Sequence, residues 1–392
     1  MRIAFAIEHF DPQRGGAERY AVGLAKWLTQ AGHGIDIFAG RVAGDTDFAN
    51  RVTLIEAHPH LGCSRQHAFA DALRKALTGE RYDIVQGFNH VWPGDVLNLL
   101  GGIHLAFERY SAMSAPSPVG RALKRLSYRF FPKYRAIREN ERHQFEGAAT
   151  HFVGASERVA DDMARYYPAA RGRIHVIRLG FNSDSFTPEL ATSKRIEARR
   201  KFEIPDDAFT LLFVAHNFRL KGLHTLIEAL PLAAARLSQP LRLLVVGRGN
   251  PKPFERLVRR LGVENIVRFC GAGEMLPYYG AADALVHPSF YDTFALVCVE
   301  AMACGLPVLA SRNSGVSEVL RDGQGAILFE MPCPPSVIAD AVAVAAAPAF
   351  REQARRLNPG MARPLSEENS YSAVLSLYEQ ILAGKAARIS TS

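Results

Sequence analysis

The sequence has 392 residues, 48% of them apolar and 22% charged, with a net charge of +8. This is a globular composition, long enough for two ordinary domains, and no apolar run reaches the ~18–20 residues of a membrane span. The opening MRIAFAIEHF meets Glu8 and Asp11 at once and reads as a strand rather than a leader. Five scattered cysteines (63, 270, 298, 304 and 333), with no C-x-x-C pair, point to reduced thiols in a cytosol and away from a metal cluster.

Taken in order, residues 3–7 (IAFAI) predict a buried strand. A loop ending in Gly15-Gly16 follows, then an amphipathic helix over 17–30 and a second strand over 35–39. Strand, glycine loop, helix, strand is the opening of a doubly wound sheet, although the G-x-G-x-x-G dinucleotide fingerprint is absent. Adjacent glycines let a backbone approach a ligand, but most such turns are only turns. Residues 83–88 predict another strand, and 97–100 lead into Gly101-Gly102-Ile103-His104. A histidine at that sheet edge can face a ligand; the alternative is a packing or surface histidine.

Residues 105–142 differ in texture, with nine basic against three acidic residues. Ser117-Pro118 predicts a helix start, and Val119, Leu123, Leu126, Phe130, Tyr134 and Ile137 fall on one stripe flanked by basic residues. Pro132 predicts a kink. Such a helix suits an anionic membrane surface. The alternatives are an ordinary core face and nucleic acid, for which the chain carries no recognisable module.

Residues 150–154 and 174–177 predict strands around a helix over 156–167, and 178–188 reads as a link between domains. A second α/β run starts with a strand at Phe209. Arg219 and Lys221 then precede a helix over 223–237, so two cations stand beside free N–H groups, a pattern that suits phosphate. The alternative is two solvated cations. A strand over 241–246 ends at Gly247, and a strand over 267–270 ends at Cys270-Gly271. Then comes HPSFYDTFALVCVEAMACGLPV, residues 287–308, a strand end, a turn and a short helix expected over 294–304. On helical geometry Asp292 and Glu300 would stand roughly 9–12 Å apart and about 80° round the axis. That suits a sugar, a diphosphate and a ribose in a row, the phosphates at the helix start near Phe294; a capping Asp and a satisfied Glu are the alternative. A strand over 325–330, a helix over 335–347 and a last helix over 371–383 complete the reading, with 357–366 and 385–392 expected to be loosely held.

Together the Gly15-Gly16 loop, His104, Arg219-x-Lys221-Gly222, Gly247-x-Gly249, Val267-x-Phe269-x-Gly271 and Asp292-x7-Glu300 with its trailing Gly305-Leu306-Pro307-Val308 resemble the retaining Glu-x7-Glu (family 4) glycosyltransferases. The likeness covers nearly the whole chain, and the early pieces, GFNHVWPGDV and the basic aromatic segment, are most similar to lipopolysaccharide core glucosyltransferases. It implies a GT-B fold: two Rossmann-like, doubly wound parallel-sheet α/β domains facing across a cleft. Residues 1–178 would bind the acceptor, 179–365 the nucleotide sugar, and 366–392 would cross back to the first domain. It implies retaining transfer from a nucleotide-diphosphate sugar, such as a UDP-linked glucose, to a cell-envelope glycan or glycolipid, without a metal or resident cofactor; the basic segment 105–142 adds the expectation of the inner face of the cytoplasmic membrane. Arg219 and Lys221 would meet the diphosphate, Glu300 the ribose, and Asp292 with the backbone of Thr293, Phe294 and Ala295 the donor sugar. Gly247 and the Cys270-Gly271 strand end would lie near the base, and His104, Gly15 and Gly16 would reach the donor from the first domain. Two departures stand out: Asp292 where the family more often has Glu, and Arg-x-Lys where near relatives have adjacent Arg-Lys. A nucleotide-sugar-binding protein with a soluble acceptor and a GT-B isomerase are the competing functions.

Overall fold

Short runs of apolar, often β-branched residues alternate along the chain with amphipathic helices, and in the computed structural model they form two parallel sheets; residues 1–58, 65–147 and 149–390 are described. The chain divides into two units. Unit 1 holds Met1–Phe107, Leu126–Gly180 and the residues from Glu367 onward; unit 2 holds Glu108–Arg125 and Phe181–Ser366. Each unit is a Rossmann-like α/β layer structure.

In unit 1 the strands are β1 (Arg2–Phe10), β2 (Gly34–Val42), β3 (Arg51–Leu54), β4 (Ile84–Phe88), β5 (Val96–Asn98), β6 (His151–Gly154) and β7 (Ile174–Val176). Their order is β3-β2-β1-β4-β5-β6-β7, so the winding reverses between β1 and β4. In unit 2 they are β8 (Phe209–Val214), β9 (Leu241–Val246), β10 (Val267–Gly271), β11 (Ala284–His287), β12 (Val308–Ser311) and β13 (Ala326–Phe329), in the order β10-β9-β8-β11-β12-β13. Here the reversal lies between β8 and β11. Crevices outside the carboxyl ends of strands at such reversals are where open α/β sheets bind ligands. Leu285 pairs with Leu212, so His287 finishes level with Val214 and the loops that follow leave the sheet side by side.

Sequence patterning did not find β3 or the helices Arg65–Leu77, His104–Met113, Pro188–Lys201 and Pro348–Ala362. The expected kink at Pro132 is instead a break. One helix, Pro118–Phe130, ends before it, and Pro132 takes the first turn of the next, Pro132–Glu146, where its missing N–H costs nothing. The apolar stripe is divided with it. Val119, Leu123, Leu126 and Phe130 are 69%, 61%, 50% and 71% exposed, which rules out the core-face alternative for that helix. Beyond the break Tyr134 packs against Tyr128 and His104. No helix among the described residues is long and apolar enough to cross a membrane. Cys63 lies outside the described residues; the other four cysteines are free thiols.

The last helix, Glu367–Ser390, packs in unit 1. Tyr378 is fully buried and donates to Gln86 Oε1 on β4 at 2.8 Å; Tyr20 and Ser370 hydroxyls meet at 3.0 Å. Tyr371 lies against Tyr20 and Trp27, over Gly23, where a Cβ would fall 2.2 Å from the tyrosine oxygen. Residues expected to be loose are held: 357–362 end the helix Pro348–Ala362, and Lys385 reaches Asp95 at 2.6 Å. The pattern Asn358-Pro359-Gly360 reads as a stop signal, but Asn358 is fully buried and its amide donates to Leu306 O (2.7 Å) and Gly325 O (2.9 Å). Asn358→Ala removes both bonds and leaves Leu306 O without this donor, while Gly325 O keeps Val308 N–H; chemical denaturation is expected to show a loss of about 2 kcal/mol, and an unchanged midpoint would mean that segment contributes nothing to the unit.

Candidate functional site

The loop after β8 is a tight turn. Asn217 accepts the Lys221 N–H at its backbone oxygen (3.0 Å) and the Leu220 N–H at Oδ1 (3.1 Å), and Arg219 O accepts the Gly222 N–H. This turns Arg219 outward, exposed, and Lys221 inward. Gly222 sits at φ +80°, and a Cβ there would fall 1.9 Å from the carbonyl oxygen of Pro288. Only glycine lets the loop after β8 lie this close to the loop after β11. Phe290 N–H donates to Leu220 O at 2.9 Å across the same seam.

The loop after β11 is itself braced. Ser289 Oγ donates to Tyr291 O, Ser311 Oγ to Ser289 O, and Gly315 N–H to Asp292 O. Two of the expected site residues meet there. Lys221 Nζ donates to Asp292 Oδ2 at 2.6 Å and to Tyr291 O at 2.9 Å. His287 Nε2 lies 2.9 Å from the same carboxylate oxygen. Burial alone pushes the Asp292 carboxyl up, but the Lys221 charge and the His287 bond outweigh it and hold the group well below the usual carboxylate range. Tyr110, which clusters with this unit, stacks on Tyr291 with centroids 5.3 Å apart. Burial, then the Arg219 charge, lowers the Lys124 amine.

The helix in this stretch is shorter than expected, Leu296–Ala303. Ala295 precedes it at φ +67°, a left-handed turn that ends the extended segment and resets the chain direction. Phe294 is fully buried and outside the helix, so the helix start stands two residues beyond its expected place. Asp292 and Glu300 therefore do not share a helix, and the spacing expected from helical geometry does not apply. Asp292 pairs in a parallel bridge with Ser314 instead, and Oδ1 receives only a long 3.4 Å contact from Phe294 N–H. It does not cap the helix. Glu300 is 3% exposed, and Tyr279 Oη, shared with Val297 O, donates to its Oε2 at 2.6 Å. Burial and then Glu300 push the Tyr279 hydroxyl far up, so it stays a donor.

Along the same sheet edge Gly247 N–H donates to Gly271 O at 2.7 Å, joining the ends of β9 and β10. Gly247 has φ +137°, and a Cβ would meet Ala215 O at 1.7 Å. Cys270 is half-buried, with its thiol pushed up to about 11 by burial. Thr293 is partly exposed on the turn. Among the described residues no group of three His, Cys, Asp or Glu side chains could hold a metal ion.

Gly15, Gly16 and His104 belong to unit 1. Gly15 caps the helix Gly16–Gln30 with extended backbone and no side chain; Glu18, paired with Arg14 at 3.3 Å, folds over it. His104 is not a loop residue beyond a turn but the first residue of the helix His104–Met113. Its N–H donates to Glu141, which also accepts the Tyr167 hydroxyl at 2.8 Å. Burial first, then His90, Arg138 and Lys133, push the His104 imidazole down to about 4. Sequence reasoning missed His287, Tyr279 and Glu141, each the partner of an expected site residue, because none has a motif of its own.

Two family models match the chain: Glycosyltransferase Family 4 over residues 14–185 and Glycosyl transferases group 1 over 194–356. The D-inositol 3-phosphate glycosyltransferase of Streptomyces bingchenggensis is 30% identical over 361 residues, 83% of this chain and 78% of its own. The lipopolysaccharide glucosyltransferase WaaG of Escherichia coli K12 is 27% identical over 84% of this chain and 86% of its own. A crystal structure of WaaG superposes with a TM-score of 0.77 at 23% identity, covering 94% and 98% of the two chains. Anabaena HepE in complex with UDP-glucose gives 0.66 at 18% identity, covering 97% and 100%. With both halves matched and a relative at 30% identity over most of its length, the chain belongs to the family 4 glycosyltransferases of GT-B fold and is a hexosyltransferase.

Proposed function

We propose that the protein transfers a hexose, with retention, from a UDP-sugar to a cell-envelope glycan or glycolipid at a membrane surface, and that unit 2 holds the donor. The observation that carries this is the ammonium group of Lys221, fixed between Asp292 and Tyr291 O where the winding of unit 2 reverses. Lysine has three N–H donors, and two are taken, leaving one for a phosphate oxygen. Arg219 and Lys124 add positive charge nearby. As the bond to the sugar breaks, negative charge grows on the departing diphosphate, and preorganised cations rather than a metal stabilise it. Glu300, aimed by Tyr279, takes the ribose hydroxyls. Asp292 Oδ1 takes a donor-sugar hydroxyl, Thr293 to Ala295 line the same turn, and Gly247, Cys270 and Gly271 leave room for the base. Gly15, Gly16 and His104 belong to unit 1, where an uncharged His104 suits hydroxyl groups. HepE binds UDP-glucose and WaaG acts in lipopolysaccharide biosynthesis, which supports this choice of donor and acceptor class.

The membrane part rests on the exposed stripe Val119, Leu123, Leu126 and Phe130 between Arg121, Lys124, Arg125 and Arg129. A helix with this composition lies in an anionic interface, apolar side down.

Lys221→Ala and Glu300→Ala are each expected to lower turnover by about 10²-fold or more while the far-UV CD spectrum at 25 °C stays native; wild-type rates in either variant would remove the assignment. UDP-glucose should raise the melting temperature of the wild type, since a ligand that binds the folded state stabilises it. No shift at millimolar nucleotide sugar would count against a donor site of this kind. Vesicles with phosphatidylglycerol should co-sediment the protein and neutral vesicles should not, with Leu123→Glu or added salt weakening the binding; equal, salt-insensitive binding to both would sink the membrane reading.

A further inference from the structure

The two oxygens of Asp292 have unequal surroundings. Oδ2 receives Lys221 and His287, whereas Oδ1 has only the 3.4 Å contact with Phe294 N–H. His287 ends β11, whose other residues are Ala284, Leu285 and Val286, and it is 1% exposed. Its Nδ1 is enclosed and has no hydrogen-bond partner among the described residues. The tautomer with its hydrogen on Nε2 is therefore the one that fits. A hydrogen on Nδ1 would be a buried donor with nothing to accept it, and a bare Nε2 would set a lone pair against a carboxylate. All the polar capacity His287 uses is spent on Asp292.

The short acid and the histidine match each other. The strand fixes the ring, and the turn 288–291 is braced by Ser289, Ser311 and Phe290. Lys221 and His287 share Oδ2, and neither reaches Oδ1. Without the imidazole N–H, Asp292 could rotate and chelate the Lys221 ammonium with both oxygens. That would draw in the N–H that a phosphate needs and the oxygen that a hydroxyl needs.

We propose that His287 is a positioning residue for the donor: its Nε2–H pins one oxygen of Asp292, so that Lys221 keeps a free N–H for the diphosphate and Asp292 keeps Oδ1 for a sugar hydroxyl. This rests on the reading of the site as a nucleotide-diphosphate-sugar site.

The test uses the full chain with His287→Gln, His287→Asn and His287→Leu, scored by UDP-glucose affinity in calorimetry and by melting temperature without ligand. The Gln side-chain nitrogen falls where Nε2 stands; the Asn nitrogen falls at Nδ1 and cannot reach Asp292. Gln is expected to bind within about threefold of wild type, and Asn and Leu to lose about tenfold or more, the scale of a hydrogen bond to a charged group. Melting temperatures should not follow that order, because Asn and Gln bury the same amide group. Equal affinity in all three variants, or Gln as weak as Leu, overturns the role of His287. Lys221→Ala measured alongside separates the levels: if it binds UDP-glucose undiminished, the diphosphate reading itself fails, whereas weakened binding there with no difference among the His287 variants removes only the His287 proposal.

Discussion

Everything at the site in unit 2 depends on two loops lying closer than side chains allow. Gly222 faces the carbonyl of Pro288 with no room for a Cβ. That contact, together with the Phe290–Leu220 backbone bond, seats the Lys221 and Asp292 loops against each other. Strand order brings β8 and β11 together, and the glycine lets their loops close. The ion pair is then possible at 2.6 Å, with both side chains less than a fifth exposed. Such a pair adds little to stability, since desolvation offsets most of the attraction. Its consequence is positional: a charged group held in place before a ligand arrives needs no reorganisation afterwards.

The two units share a plan and differ in chemistry. Each reverses its winding once, and each places a glycine-containing loop at that reversal: Gly15-Gly16 after β1, Gly222 after β8. In unit 2 the groups there are ionised. In unit 1 burial holds the His104 imidazole far below its ordinary value, and Glu141 is occupied by a backbone N–H and a tyrosine hydroxyl.

What the sequence makes legible follows from what each signal measures. Strand runs and glycine loops report burial and close approach, so both sheets and the Lys221 and Asp292 loops could be read. Periodicity identifies an apolar face but not what covers it; hence the core reading of the stripe around Leu123 stood open until its exposure was seen. Local stop signals mislead when tertiary bonds override them, as at Asn358-Pro359-Gly360 inside a helix. Helical geometry for Asp292 and Glu300 failed at one residue, Ala295, whose left-handed backbone no propensity suggests for alanine. The partners His287, Tyr279 and Glu141 were out of reach because each acts on a residue that only the fold brings near.

Asp292 also answers an electrostatic question that the cations raise by themselves. In the proposed diphosphate site the cations must stay ordered when no anion is bound, although Arg219 and Lys124 repel each other. One carboxylate beside Lys221 supplies the counter-charge, and its own ionised state is held by that lysine and by His287. The arrangement leaves Arg219 exposed. On the proposed reading Lys221 needs no new conformation to engage a phosphate, because its third N–H is directed by the two bonds it keeps. Asp292 and the buried His287 are therefore held together by one contact at Oδ2.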